Sequence, residues 1–149
     1  MQRLTIQRAQ ALVEFALIVP VLLLLVLGMF DLGRAFVFAV AVQNGAREAA
    51  RLGERAALDP TVTNTLILQR LIDASAPALA GCAAQTGTQP TSGGCPQWTF
   101  TVTPSGTLSS GNTLTVTAVG HVSLLGGINV GGLNLPNITV QGQAEMLVF

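Results

Sequence analysis

Gln10-Ala-Leu-Val-Glu-Phe-Ala-Leu-Ile-Val-Pro-Val-Leu-Leu-Leu-Leu-Val-Leu-Gly-Met-Phe30 is the stretch on which the fold turns. A helix needs roughly 20 mostly apolar residues to cross a bilayer core. Ala11 to Phe30 supplies that length, and Asp31 closes it. Two residues stand out within the run. Glu14 is a carboxylate near its beginning, where a charge costs less than at mid-span but still calls for a shallow position or a compensating partner. Pro20 removes one helical hydrogen bond, which membrane helices tolerate when neighbouring groups take up the freed carbonyl.

Upstream, residues 1–9 carry Arg3 and Arg8 and no acid. Basic residues before an apolar run mark the cytoplasmic side, so the expected topology is a single pass through the cell (inner) membrane. The N-terminus lies inside and the C-terminal part outside. A secretory signal peptide begins in the same way, and Ala39-Val-Ala41 has the small-residue pattern of a cleavage site. Against it, the apolar core is too long, and Asp31 and Arg34 intervene before the site.

Downstream the helical period continues. Ala35, Phe38, Val42, Ala46, Ala49 and Gly53 recur every three or four residues as a small-to-apolar stripe, with Asn44, Arg47, Glu48, Arg51 and Arg55 opposite. The pattern predicts one helix from about Gln10 to about Arg55. Its second half is an amphipathic stem that buries its stripe against its own domain or against copies of the same helix. Glu48 and Arg51 can pair at i,i+3, and Asp31 and Arg34 are expected to pair where the helix leaves the membrane. Asp59-Pro60 has the form of an N-cap followed by proline at the first helical position, with Val62, Leu66, Ile67, Leu71 and Ala74 as the buried face of a short second helix.

From Trp98 the period becomes two. Trp98, Phe100 and Val102 alternate with threonines, as do Leu114, Val116 and Ala118; Ile138, Val140, Ala144, Met146 and Val148 form a third set. Three half-buried strands predict an antiparallel sheet whose apolar face the two helices cover. The fold class is α+β. The expected division is a basic leader 1–9, a membrane-spanning part 10–31, an amphipathic stem 32–56 and an exported α+β domain 57–149.

Composition narrows the function. Of 149 residues half are hydrophobic and 9% charged, which excludes a disordered chain. All seven basic residues are arginines at or before Arg70, and Ala74 to Ala144 holds no charged side chain. No basic patch for nucleic acid, no acidic cluster for a metal, and no acid–base pair for a nucleophile is legible. The expectation is therefore no enzyme, no cofactor, no metal and no small-molecule substrate. His121, the only histidine, falls on the outer, threonine side of its strand. Cys82 and Cys95 flank a Gly/Thr/Ser/Gln/Pro-rich loop; in an exported domain a disulfide is the natural reading, with free thiols or a metal site as the alternatives.

Three segments carry a family resemblance: Arg8-Ala-Gln-Ala-Leu-Val-Glu-Phe-Ala-Leu-Ile-Val-Pro20, Asp31-Leu-Gly-Arg34 and Ala46-Arg-Glu-Ala-Ala-Arg51. They resemble the TadE-like pseudopilins, accessory proteins of the tight-adherence (Tad or Flp) branch of type IV pili. The resemblance is specific over Arg8 to Gly53 and loose over the strands. It implies a pilin-like protein whose leader a prepilin peptidase removes between Ala9 and Gln10, making Glu14 the fifth and Phe15 the sixth residue of the mature chain. The family usually has glycine where this chain has Ala9, the nearest residue in size. Glu14 and Phe15 then belong to the helix surface that meets other pilin-like subunits, with the new Gln10 amine neutralising a neighbour's Glu14. The partners implied are the lipid bilayer, the peptidase and those subunits. The competing reading is a membrane-anchored binding or adhesion module that keeps its leader.

Overall fold

A computed structural model describes residues 2–76, 78–79, 82, 97–103, 108–124 and 137–149, with the backbone alone over 2–9. The elements are helix α1 (Gln2–Gly53), helix α2 (Asn64–Ala74) and strands β1 (Trp98–Thr103), β2 (Thr113–Val122) and β3 (Ile138–Leu147). This is the α+β layout that the periodicities predict.

α1 is one uninterrupted helix that continues through Pro20. At 1.5 Å per residue its length is about 78 Å. It starts eight residues earlier than the sequence pattern suggests and ends two residues sooner, at Gly53. The chain then turns: Glu54 N–H donates to the Ala50 carbonyl, and Asp59 N–H to the Arg55 carbonyl.

The start of α2 departs from expectation. Its N-cap is Thr63, whose Oγ1 accepts from Leu66 N–H at 3.3 Å. Asp59 instead organises the approach. Its Oδ1 accepts from Thr61 N–H at 2.9 Å and from Thr61 Oγ1 at 2.6 Å, an Asx-type turn that uses the same short acceptor as a cap. The two bonds to Thr61 hold the Asp59 carboxyl below its ordinary range. With the cap moved four residues on, the buried face is Ile67, Leu68, Leu71 and Ile72, while Leu66 and Ala74 are exposed.

The strands form a meander in the order β1-β2-β3, both pairs antiparallel. Leu114, Val116, Ala118, Gly120 and Val122 of β2 point inward, with Trp98 and Phe100 of β1 and Val140 and Gly142 of β3. Trp98 lies opposite Gly120. A Cβ at position 120 would run into the indole ring, so glycine is what lets Trp98 lie flat against the neighbouring strand. His121 is exposed, as its place in the alternation requires, and its Nδ1 lies 3.3 Å from Thr139 Oγ1 across the β2–β3 pair.

The stem of α1 covers β3 and β2, and α2 packs against the stem and against β1. Ala35, Val42, Ala46, Ala49 and Gly53 of the predicted stripe are buried and Phe38 is half-buried, whereas Asn44, Arg47, Arg51 and Arg55 are exposed. Phe100, Ile67, Leu71, Leu79, Leu114, Val42, Val116 and Val148 are fully buried. Burial of each such large side chain contributes about 1.5–3 kcal/mol relative to exposure. The stripe is built of small residues because backbones meet there. A Cβ on Gly142 would lie 2.7 Å from the backbone carbon and oxygen of Val42, and one on Gly45 would lie 2.8 Å from the Leu71 carbonyl oxygen and strike Ser75.

Candidate functional site

The lower half of α1 is the candidate site. From Leu12 to Leu27 every large apolar side chain except Val19 is exposed on the single chain, with Phe15 65% exposed. Residues Gln10–Gly53 have the length and apolar composition to cross a membrane. Among the described residues no element packs over this surface, and an apolar face of this extent is the kind that lipid or another chain covers. Glu14 is exposed on the same surface and accepts from Gln10 Nε2 at 3.4 Å, one helical turn away. Ala9 lies where only the backbone is described, and that backbone is helical.

Above this surface the stem is locked to the domain by polar contacts that the alternation of residues did not disclose. Gln43 bonds both backbone groups of Gln143: its Nε2 donates to the carbonyl at 2.8 Å and its Oε1 accepts from the N–H at 3.2 Å. Arg34 Nη2 donates to the Ser123 carbonyl at 3.2 Å, and its guanidinium carbon lies 5.8 Å from the centre of the Phe38 ring. Asp31 is buried. The Arg34 guanidinium, expected to pair with Asp31 alone at this level, reaches across to the sheet.

Glu48 has two arginine partners. Arg70 of α2 approaches its Oε1 at 2.7 Å, and Arg51 approaches Oε2 at 4.0 Å. The hydrogen bond and charge of Arg70, ahead of Arg51, hold the Glu48 carboxyl below its ordinary range. The anticipated i,i+3 contact with Arg51 is present but is the weaker of the two. Arg70 sits 22 residues away in sequence, and only the packing of α2 on α1 brings it to Glu48. These groups and Asp73 line an open groove of about 590 Å³ between the helices, where charges of both signs alternate.

Among the described residues no three His, Cys, Asp or Glu side chains gather as a metal site. None of the described cysteines is free, and Cys82 packs half-buried against the core; Cys95, its expected partner, lies outside the described residues.

α1 also carries the chain's similarity to a known family. Residues 9–51 match the family model described as TadE-like protein. The matched TadE-like segment opens at Ala9 and closes two residues before α1 ends, so it takes in the exposed apolar surface and the buried stem together. No curated protein and no solved structure matches the chain.

Proposed function

We propose that the chain is a minor pilin-like membrane protein of a Tad-type pilus, acting in its assembly or structure. α1 anchors it in the inner membrane with the N-terminus inside, and the α+β domain stands outside. The observation that carries this reading is the coincidence of the TadE-like match with a helix of two characters. Its lower half exposes its apolar side chains, and its upper half is fixed to the sheet.

In this reading a prepilin peptidase cuts between Ala9 and Gln10. The new α-amine on Gln10 has a reference pKa of about 7.7–8.0 and is charged near neutral pH. Four residues on, Glu14 offers the opposite charge, and Phe15 stands beside it on the exposed surface. Where such helices pack together, the amine of one subunit neutralises Glu14 of the next. Removing one member of a buried pair costs about 3–5 kcal/mol, so the charge acts as a register device for assembly.

The test is mass spectrometry of the N-terminus of protein purified from cells that carry the matching peptidase. A mature chain starting at Gln10 supports the proposal, and Glu14→Ala should then be processed normally yet fail to co-purify with the other pilin-like subunits. A chain that still starts at Met1 favours a static anchor carrying a binding domain. A start at Val42 or Gln43 would mean an ordinary signal peptide and would overturn the pilus reading.

A further inference from the structure

On the side of α1 turned away from the sheet, Leu22, Leu25, Met29, Leu32, Phe36, Val40, Asn44, Arg47 and Arg51 follow one another at spacings of three and four. They form one line along the helix. All nine are exposed, and the line changes character once. Every member up to Val40 is apolar, with Phe36 70% and Val40 45% exposed, and Val37 stands exposed beside them. From Asn44 upward every member is polar or charged. The change therefore comes three turns above Asp31, the residue at which the sequence ends its apolar run.

The opposite side of the helix explains why Asp31 and Arg34 do not mark the boundary. Asp31 is only 8% exposed, and Arg34 is turned onto the Ser123 carbonyl and the Phe38 ring. The described residues at the end of the sheet that receives Arg34, namely Val122, Ser123, Leu124, Asn137 and Ile138, carry no charge. A charged side chain is costly in hydrocarbon; Arg34 is exposed but reaches the Ser123 carbonyl at the end of the sheet, so on this side the helix leaves the hydrocarbon lower, near Asp31.

We propose that the outer hydrocarbon boundary on this face lies at Val40, and that the exported domain rests on the outer leaflet with the uncharged end of its sheet at headgroup depth. The occupant of the Leu32–Val40 face is lipid, because the face continues the exposed apolar surface of the span without a polar interruption. This inference rests on the membrane-inserted reading above. It also fits the length of the helix. Ile18 to Val40 spans about 33 Å, close to the hydrocarbon thickness of about 30 Å. Glu14 then lies about 6 Å outside the core, at the cytoplasmic headgroups, whereas a span of Ala11 to Phe30 would draw it inside. The two faces of the helix leave the hydrocarbon about 13 Å apart in height, which a tilted helix and the headgroup layer accommodate.

The experiment is spin-label accessibility in the full chain, reconstituted into phosphatidylcholine–phosphatidylglycerol vesicles. Labels are placed by Leu24→Cys, Val37→Cys, Val40→Cys and Arg47→Cys, all at exposed positions, with the unlabelled-site background set by the parent chain. Line broadening by oxygen reports lipid, and broadening by a water-soluble nickel chelate reports water. The expected result is that Val37 and Val40 behave as Leu24 does, with oxygen broadening and loss of nickel broadening, while Arg47 shows the reverse. Nickel broadening at Val37 and Val40 with Leu24 still shielded returns the boundary to Asp31 and overturns the inference alone. Nickel broadening at Leu24 as well defeats the membrane-inserted reading itself. Labels at Val37 and Val40 that are immobilised and shielded from both reagents mean that a protein covers the face, which also overturns the inference.

Discussion

The Gln43 side-chain amide takes the place of a neighbouring strand for Gln143, donating to its carbonyl and accepting from its N–H at 2.8 and 3.2 Å. Among the described strands β3 is an edge, and an edge strand presents unpaired backbone groups. One amide from the helix satisfies both groups of one residue and fixes the height of the stem along β3. Gln43→Ala should lower stability by about 1 kcal/mol, the usual net worth of such bonds in a partly exposed setting. Gln43→Glu should cost more, because a carboxylate cannot donate and would face the Gln143 carbonyl. Denaturant titration of the full chain in detergent micelles, followed through the buried Trp98, measures both.

Gly142 is where β3 and α1 come closest. A Cβ there would lie 2.7 Å from the Val42 backbone, which cannot move aside as a side-chain tip can. Gly142→Ala should therefore force the helix off the sheet, at about 1–3 kcal/mol or more. Gly28→Ala is the control: a Cβ there meets nothing within 4 Å of the chain itself. It should leave domain stability unchanged. The same titration separates the two, and equal effects would mean that the close approach has no energetic weight.

The pattern of small residues on α1 was readable in sequence because helix packing and 3.6-residue periodicity act locally. Ala35, Val42, Ala46, Ala49 and Gly53 are buried where that period puts them, and the strand alternation of Trp98, Phe100, Leu114 and Val116 holds for the same reason. The start of α2 was misplaced because Asp59 and Thr63 are both short acceptors able to cap, and the choice between them depends on Ile67 and Leu71 finding the core. Arg70 on Glu48, Arg34 on Ser123 and Gln43 on Gln143 join residues 22, 89 and 100 positions apart. No local period encodes such partners. The TadE-like motif was legible over α1 alone, where its residues lie together on one helix.

The Glu48–Arg70 pair should give stability an acid limb. The folded-state carboxyl titrates below its unfolded value, so its contribution is present above the unfolded pKa and is lost as pH falls through the folded one. Denaturation midpoints of the full chain and of Glu48→Gln should differ at about pH 7 and converge as the pH is lowered past the ordinary glutamate range of about 4.3. Asp59 titrates in the same direction and remains in both proteins, so the difference between them isolates Glu48. Curves that stay parallel down to low pH would show that Arg70 does not favour the charged form in the folded state.

Cys82 packs against the core, and Cys95 is the only other cysteine in the sequence. If the domain folds outside the membrane, the two should be joined, closing a loop of about 14 residues and stabilising the fold by about 3 kcal/mol in the chain-entropy account. Peptide mapping of protein from the membrane fraction, without reductant, should recover the peptides of Cys82 and Cys95 linked at two mass units below their sum. The pair Cys82→Ser and Cys95→Ser should lower the denaturation midpoint, and reductant should lower that of the parent chain to match. Two alkylatable thiols in the native membrane protein would instead place the domain on the reducing side and reverse the topology assigned to α1.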